Sequence, residues 1–371
     1  MSQPKAKIKL LLSCILVSLL VTLTYYLFEY AIHHSITYIW NTVFDTQNKR
    51  VLVIPLAIVG ALLFYGLQHY LDPKSEKQES HGIGGDPIKP TLNKLILVLL
   101  IGFFSLVGGA SLGPEAILVP ACMIIGGYVG LKLFKHDANL AKALPAAAVM
   151  ALMTAFFHSY IIGILSVLLV AKIAKTKVNI QLIIIAVLSS VTAYLFLNFI
   201  DPKNSYFNFP HFTWKIALID ITMGVALIVA GYISTFILKF IHTVVVSLKN
   251  RVNLSNWWLL AMVAGIGLSL IYIIGGPLVE FTGNESIAPL IKQASSLGLW
   301  GVFWIFIIKL LAIGWSKSLG YRGGLIFPMI FVASSLVAMS QLLASDVNFG
   351  IGIIAAVAGM LIAEKKAHIL L

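Results

Sequence analysis

Between Lys94 and Lys132 this chain carries a single charged residue, Glu115, and it sits in a break between two apolar runs. The break reads Gly108-Gly109-Ala110-Ser111-Leu112-Gly113-Pro114-Glu115-Ala116. Glycines at 108, 109 and 113 end a first helix and permit close backbone approach, and Pro114 suits the first turn of a new helix, expected over Glu115 to Leu133. Apolar flanks of this kind place the break at membrane depth. A helix N-terminus there offers unpaired N–H groups and the positive end of the helix dipole, which attract an anion. A carboxylate at that spot takes the place of a diffusible anion, so Glu115 reads as a gate.

A second break of the same kind, Gly320-Tyr321-Arg322-Gly323-Gly324-Leu325-Ile326-Phe327-Pro328, precedes the apolar run Met329 to Leu343. Two interrupted helices, one in each half, are the pointer expected of a transporter or channel built from inverted repeats, with an ion bound near the bilayer midplane. The expected fold is therefore an all-α polytopic membrane protein, an inverted-repeat helical bundle whose broken helices meet at midplane. The first repeat is expected over 1–200 and the second over 214–371, with no soluble domain.

Composition agrees. With 59% apolar and 11% charged residues in 371, the chain is too hydrophobic for a soluble protein and has the lipid bilayer as its surroundings. The formal charge of +12 could suggest a nucleic-acid partner. The basic residues are scattered at helix ends with no aromatic-interleaved patch, which fits the positive-inside rule and excludes nucleic acid. Cys14 and Cys122 both lie in apolar runs and read as structural, with no disulfide framework, no metal site and no cofactor expected.

Taken in order, Lys5, Lys7 and Lys9 precede a span over about 10–32 and place the N-terminus in the cytoplasm; no cleavable signal is evident. A multi-pass protein of the plasma membrane is expected. The first loop, His33 to Arg50, has Trp40 as an interfacial anchor. Val51 to Tyr70 crosses back, and Asp72 to Ser80 reads as a solvated connector. His81 to Ile88 is a glycine-rich re-entry that fails as a nucleotide loop. Spans then follow over Leu95 to Val107, Glu115 to Leu133, Ala143 to Val170 and Val178 to Phe199. Asp201 to Thr213 is an external loop between the halves. Trp214 to Phe240, Trp257 to Ile274, Trp300 to Ile313 and Phe349 to Ala363 complete the frame. His158 reads as a helix-face residue with a backbone partner. Glu280 and Glu285 read as solvated loop carboxylates. Lys309, inside an apolar run, either faces the protein interior or snorkels and helps attract anions, or is simply a lysine at a helix end. Asp220 is either a buried structural partner or a site residue.

Ser111-Leu112-Gly113-Pro114-Glu115 resembles the glycine-flanked glutamate motif of the CLC chloride channel and transporter family. Gly324-Leu325-Ile326-Phe327-Pro328 resembles that family's second signature, Gly-x-Phe-x-Pro. Gly275-Gly276-Pro277-Leu278 followed by Thr282-Gly283-Asn284 looks like its glycine-rich loop ahead of that signature. The resemblance implies a homodimer with one pathway per subunit for chloride or a similar small anion, with Glu115 as the external gating glutamate. The anion-binding groups it implies lie at Gly113, Pro114, Glu115 and Ala116 and at Gly324, Leu325, Ile326 and Phe327, chiefly backbone amides. The chain departs from the pattern at Pro114, where the family has Arg, at Ala116-Ile117 for its Gly-Pro, and at Ile326 for its Phe. Gly82-Ile83-Gly84-Gly85-Asp86-Pro87 lacks the serine of the early signature. Leu168, Leu169 and Val170 stand where exchanging members carry a proton-relay glutamate. The chain also stops before the helices that bring a tyrosine to the inner mouth, so a divergent, shortened, bacterial-type member is expected.

The function this points to is an anion channel or transporter and not an enzyme; a proton/anion exchanger with altered coupling and a non-conducting remnant are the alternatives. A remote one is an intramembrane serine hydrolase, since Gly109-Ala110-Ser111-Leu112-Gly113 also fits Gly-x-Ser-x-Gly with His158 as its base.

Overall fold

The computed structural model describes residues 3–73, 90–135, 137–173, 177–202, 217–252, 254 and 256–367. Most of the connector expected over Asp72 to Ser80, the glycine-rich re-entry expected at 81–88 and most of the external loop expected at 201–213 lie outside them. Twelve α-helices follow one another in those residues: α1 (Gln3–Ile36), α2 (Val53–Leu71), α3 (Leu92–Val107), α4 (Glu115–Leu133), α5 (Ala138–Phe157), α6 (Tyr160–Ile173), α7 (Ile180–Ile200), α8 (Leu218–Arg251), α9 (Trp257–Gly275), α10 (Ile287–Leu319), α11 (Ile326–Leu343) and α12 (Phe349–Ala367). Among the described residues nine helical segments are long and apolar enough to cross a membrane. In hydrocarbon a backbone must satisfy its own polar groups, and helices do this within one segment.

The chain divides into two compact units, which interleave along the sequence. One comprises Met1–His34, His81–Leu100 and Ala116–Tyr206. In it α5, α6 and α7 pack on one another. The single span expected over Ala143 to Val170 is two helices, because the backbone turns at His158 with φ 48°. His158 thus lies in a break and not on a helix face, and its Nε2 is 3.1 Å from the Asn198 side-chain oxygen on α7. At the other end of the unit Lys9 donates to the Leu133 carbonyl at 2.7 Å. A lysine at a helix C-terminus satisfies an orphan carbonyl and complements the dipole.

The second unit comprises Ser35–Ser80, Ile101–Glu115 and Phe207–Leu371. Its helices approach closely through small residues. Gly231 of α8 faces the Ala356 carbonyl of α12, Gly359 of α12 faces the Ile228 carbonyl of α8, and a Cβ at either would overlap the opposing backbone. Small residues at such crossings allow the close packing that drives association between helices in lipid. Asp220 proves to be the buried structural partner. One oxygen accepts from the Ala217 N–H at 2.8 Å and the other from the Asn348 N–H at 2.7 Å. A single carboxylate therefore caps the start of α8 and holds the residue ahead of α12. α10 is interrupted at Gly298, where φ is 66°.

Candidate functional site

α3 ends at Val107 and α4 begins at Glu115; the Gly108, Gly109 and Ala110 N–H groups still donate back to α3 carbonyls, and residues 111–114 run on through the second unit outside both helices. Unpaired backbone groups at such a depth are costly, and the structure supplies partners for them. The Val107 carbonyl accepts from Trp40 Nε1 at 2.9 Å, the Gly109 carbonyl from the Tyr272 hydroxyl at 2.6 Å, and the Leu112 carbonyl from the Thr282 hydroxyl at 2.7 Å. The Ser111 N–H donates to the Ser316 hydroxyl at 3.1 Å. Trp40 is thus no interfacial anchor; it is 1% exposed and works as a clamp on the break.

The second break joins the first directly. α10 ends at Leu319, Gly320 takes the left-handed conformation at φ 96°, and α11 begins at Ile326. The Gly113 N–H donates to the Gly324 carbonyl at 2.9 Å and the Gly324 N–H to the Gly113 carbonyl at 2.7 Å. This reciprocal pair, the one isolated bridge among the described residues, sets the start of α4 beside the start of α11.

Across that junction Glu115 Oε1 accepts from the Ile326 N–H at 2.8 Å and, more weakly, from the Phe327 N–H at 3.4 Å. These are the first two amides of α11, donors that have no partner within their own helix. Glu115 is 6% exposed, and its second oxygen, Oε2, is buried with no hydrogen-bond partner among the described residues. Room for the carboxylate comes from glycine, since a Cβ on either Gly113 or Gly324 would run into it. Of the sequence-derived site residues, Gly113, Glu115, Gly324, Ile326 and Phe327 come together here. Leu325 is the residue immediately before α11. Pro114 has no N–H to offer and serves the turn into α4. Ala116 follows within the first turn of α4.

Behind the first break stands the loop of Glu280 and Glu285, whose carboxylates are expected in solvent. Glu280 is 5% exposed and pairs with Arg50 Nη1 at 2.6 Å, while Arg50 Nη2 donates to the Tyr272 carbonyl at 2.5 Å. Burial pushes the Glu280 carboxyl above its ordinary range, and the Arg50 charge opposes this. Glu285, by contrast, is exposed. Lys309 is fully buried; its ammonium donates to the Val279 carbonyl at 3.0 Å and the Phe281 carbonyl at 2.5 Å, and lies 5.2 Å from the centre of the Phe331 ring. The Phe281 carbonyl also accepts from the Ser111 hydroxyl at 3.0 Å. The Phe281 N–H donates to the Tyr272 hydroxyl at 2.9 Å. Lysine, loop and break form one hydrogen-bonded chain that ends two residues before the glycine bridge. Arg50 is the signal available in the sequence, a basic residue in the loop that the expected orientation puts outside.

Ser111 spends its hydroxyl proton on a peptide carbonyl, an arrangement unlike an activated nucleophile, which needs a base within hydrogen-bond reach. Among the described residues no group of three or more His, Cys, Asp or Glu side chains could hold a metal.

The profile of the family described as Voltage gated chloride channel matches residues 60–370. YfeO of Salmonella choleraesuis, a protein named for ion transport, is 27% identical over 335 residues, covering 85% of this chain and 74% of its own. Among solved structures, a slow cyanobacterial Cl-/H+ antiporter superposes with a TM-score of 0.73 at 18% identity, covering 95% of this chain and 84% of its own. A CLC-type fluoride/proton antiporter superposes with a TM-score of 0.67 at 17% identity, covering 96% and 86%.

Proposed function

Because the chain belongs to the voltage-gated chloride channel family, we propose that it moves chloride or a similar small anion across the membrane past the start of α11, with Glu115 as the gate. The observation that carries this reading is the Glu115 carboxylate on the Ile326 and Phe327 amides, an anionic group seated where a helix N-terminus would hold a free anion. The deprotonated side chain and the anion compete for the same donors. Protonation removes the charge, weakens the hold of the two amides and lets the side chain leave, so acid opens the path. The Ile326 and Phe327 amides are the donors of the site, and Gly113 and Gly324, whose own N–H groups are spent on their bridge, keep it wide enough for an ion.

The protein is an integral multi-pass membrane protein. A homodimer in the plasma membrane, with a cytoplasmic N-terminus and a pathway in each subunit between two inverted repeats, is part of the same proposal. A second reading, exchange of the anion for a proton, is favoured by the two solved structures just described, both named as proton antiporters. Against it, Leu168, Leu169 and Val170 supply no group that titrates. Flux from proteoliposomes with and without a pH gradient separates the two: anion movement that a proton gradient cannot drive uphill is channel behaviour, and uphill movement is exchange. Absence of any flux for chloride, nitrate and fluoride would defeat both.

A further inference from the structure

The helix ends at the two breaks do not act alike on an anion. α11 starts at the second break, and a helix start attracts negative charge. α3 and α10 end at the breaks, and the partial negative charge of a helix end repels an anion. α3 has no basic residue in its last turn, whereas α10 has Lys317. A cation in a last turn offsets the end of the dipole, so of the two unfavourable ends α10 alone brings its own correction.

The last turn of α10 is fixed in place from several sides. The Ser316 hydroxyl accepts from the Ser111 N–H at 3.1 Å, four residues before Glu115. The Tyr321 N–H donates to the Ser316 carbonyl at 3.1 Å and the Gly320 N–H to the Lys317 carbonyl at 3.2 Å. From α2 the Tyr65 hydroxyl donates to the Leu319 carbonyl at 2.9 Å. Lys317 stands in this turn half-buried, between the buried Ser316 and Ser318.

The charges around the breaks divide by the carboxylate each one meets. Arg50 pairs with Glu280. Lys309 is held by the Val279 and Phe281 carbonyls and feels the same Glu280 charge. Arg322 is acted on by Asp72. Among the described residues the charged side chain that acts on the Glu115 carboxylate is Lys317. Glu115 rests on the Ile326 and Phe327 amides, the place read above as the anion's own. An anion that takes this place when the carboxylate swings out therefore meets the charge that the carboxylate met.

We propose that Lys317 sets the affinity for a small monovalent anion at the start of α11, acting through space from the last turn of α10 without touching the ion. The inference rests on the reading of the chain as an anion carrier with its site at the α11 amides, and adds the residue that tunes that site. The effect is one of charge. Lys317→Arg keeps it, Lys317→Met removes one unit and Lys317→Glu removes two. For a part-exposed charge beyond direct contact, discounted for solvent screening, each unit should raise the half-saturating chloride about fivefold.

The test is chloride flux from proteoliposomes of the full chain against chloride concentration, for wild type, Lys317→Arg, Lys317→Met and Lys317→Glu. Calorimetric titration of chloride into Glu115→Gln, alone and combined with Lys317→Met, reads binding with the gate removed. The expected result is an unchanged half-saturation in Lys317→Arg, about fivefold more chloride in Lys317→Met and about 25-fold more in Lys317→Glu, with maximal flux nearly constant and the same fivefold shift in the titration. Equal steps on a logarithmic scale are the signature of charge, and a cap that only steadies α10 would not produce them. A wild-type half-saturation in Lys317→Met, or equal shifts in Lys317→Met and Lys317→Glu, overturns the inference and leaves the gate standing. Absence of chloride flux and binding in every form, wild type and Glu115→Gln included, removes the anion-carrier reading and the inference with it. If Lys317→Glu does not fold, Lys317→Met and Lys317→Gln decide: equal fivefold shifts in these two neutral variants support the inference, and unequal or absent ones defeat it.

Discussion

The Phe281 carbonyl accepts two donors, Lys309 Nζ and the Ser111 hydroxyl, and this sharing makes a quantitative prediction. Ser111→Ala removes one neutral hydrogen bond, and Phe281 keeps its lysine; the cost is about 1 kcal/mol. Lys309→Met keeps the stem but strips both carbonyls of their ammonium. Val279 then has no other donor among the described residues, and an orphaned buried acceptor costs about 1 to 3 kcal/mol. Part of this is offset because the ammonium no longer has to be desolvated. In the double variant Phe281 loses its second donor as well. The pair should therefore cost about 1 to 3 kcal/mol more than the sum of the singles, well beyond the scatter of about 0.5 kcal/mol for independent sites. Unfolding of the purified protein in mixed micelles, followed by tryptophan fluorescence for all four forms, reads the coupling. A sum that is additive within that scatter would show that lysine, loop and break do not act as one hydrogen-bonded chain.

Gly324→Ala puts a methyl group where the Glu115 carboxylate sits, so in protein that still folds the carboxylate is displaced and chloride flux at neutral pH rises; an unchanged flux would mean the glycine is not what makes the room. Asp220→Ala leaves the Ala217 and Asn348 N–H groups without their acceptor and should cost about 1 to 2 kcal/mol in unfolding experiments, with anion selectivity unaltered. Glu280 has its folded-state pKa raised by burial from the ordinary 4.5, so the folded form binds the proton more tightly than the unfolded one. Its contribution to stability is present below pH 4.5 and is lost as pH rises through the raised value. Glu280→Gln should flatten that slope in a stability-against-pH series, and an identical slope in both proteins would count against a buried titrating pair.

The membrane frame and both breaks could be read from residues alone, because glycine, proline and a lone carboxylate inside apolar runs leave few local choices. The start of α4 at Glu115 and its end at Leu133 follow directly from that pattern. Asp220 admits two readings in the sequence, a buried structural partner or a site residue, because nothing local says that α8 starts at Leu218 or that the Asn348 N–H lies beside it. Distance along the chain hid the rest. Glu280 looks solvated until Arg50, 230 residues earlier, is seen beside it. Trp40 looks like an interfacial ring, because the sequence cannot say that the Val107 carbonyl needs an N–H. The break at His158 carries no glycine or proline and was invisible for that reason. The sequence leaves Lys309 between the interior, snorkelling and a helix end, because what decides it is a loop some 30 residues away whose carbonyls need its ammonium.

The central claim is that Glu115 occupies the place of the anion, and chloride efflux from proteoliposomes, wild type against Glu115→Gln at several external pH values, tests it most directly. The account predicts wild-type efflux that rises as pH falls, and Glu115→Gln efflux that is higher at neutral pH and nearly flat with pH. Equal rates with the same pH dependence in both proteins would contradict it.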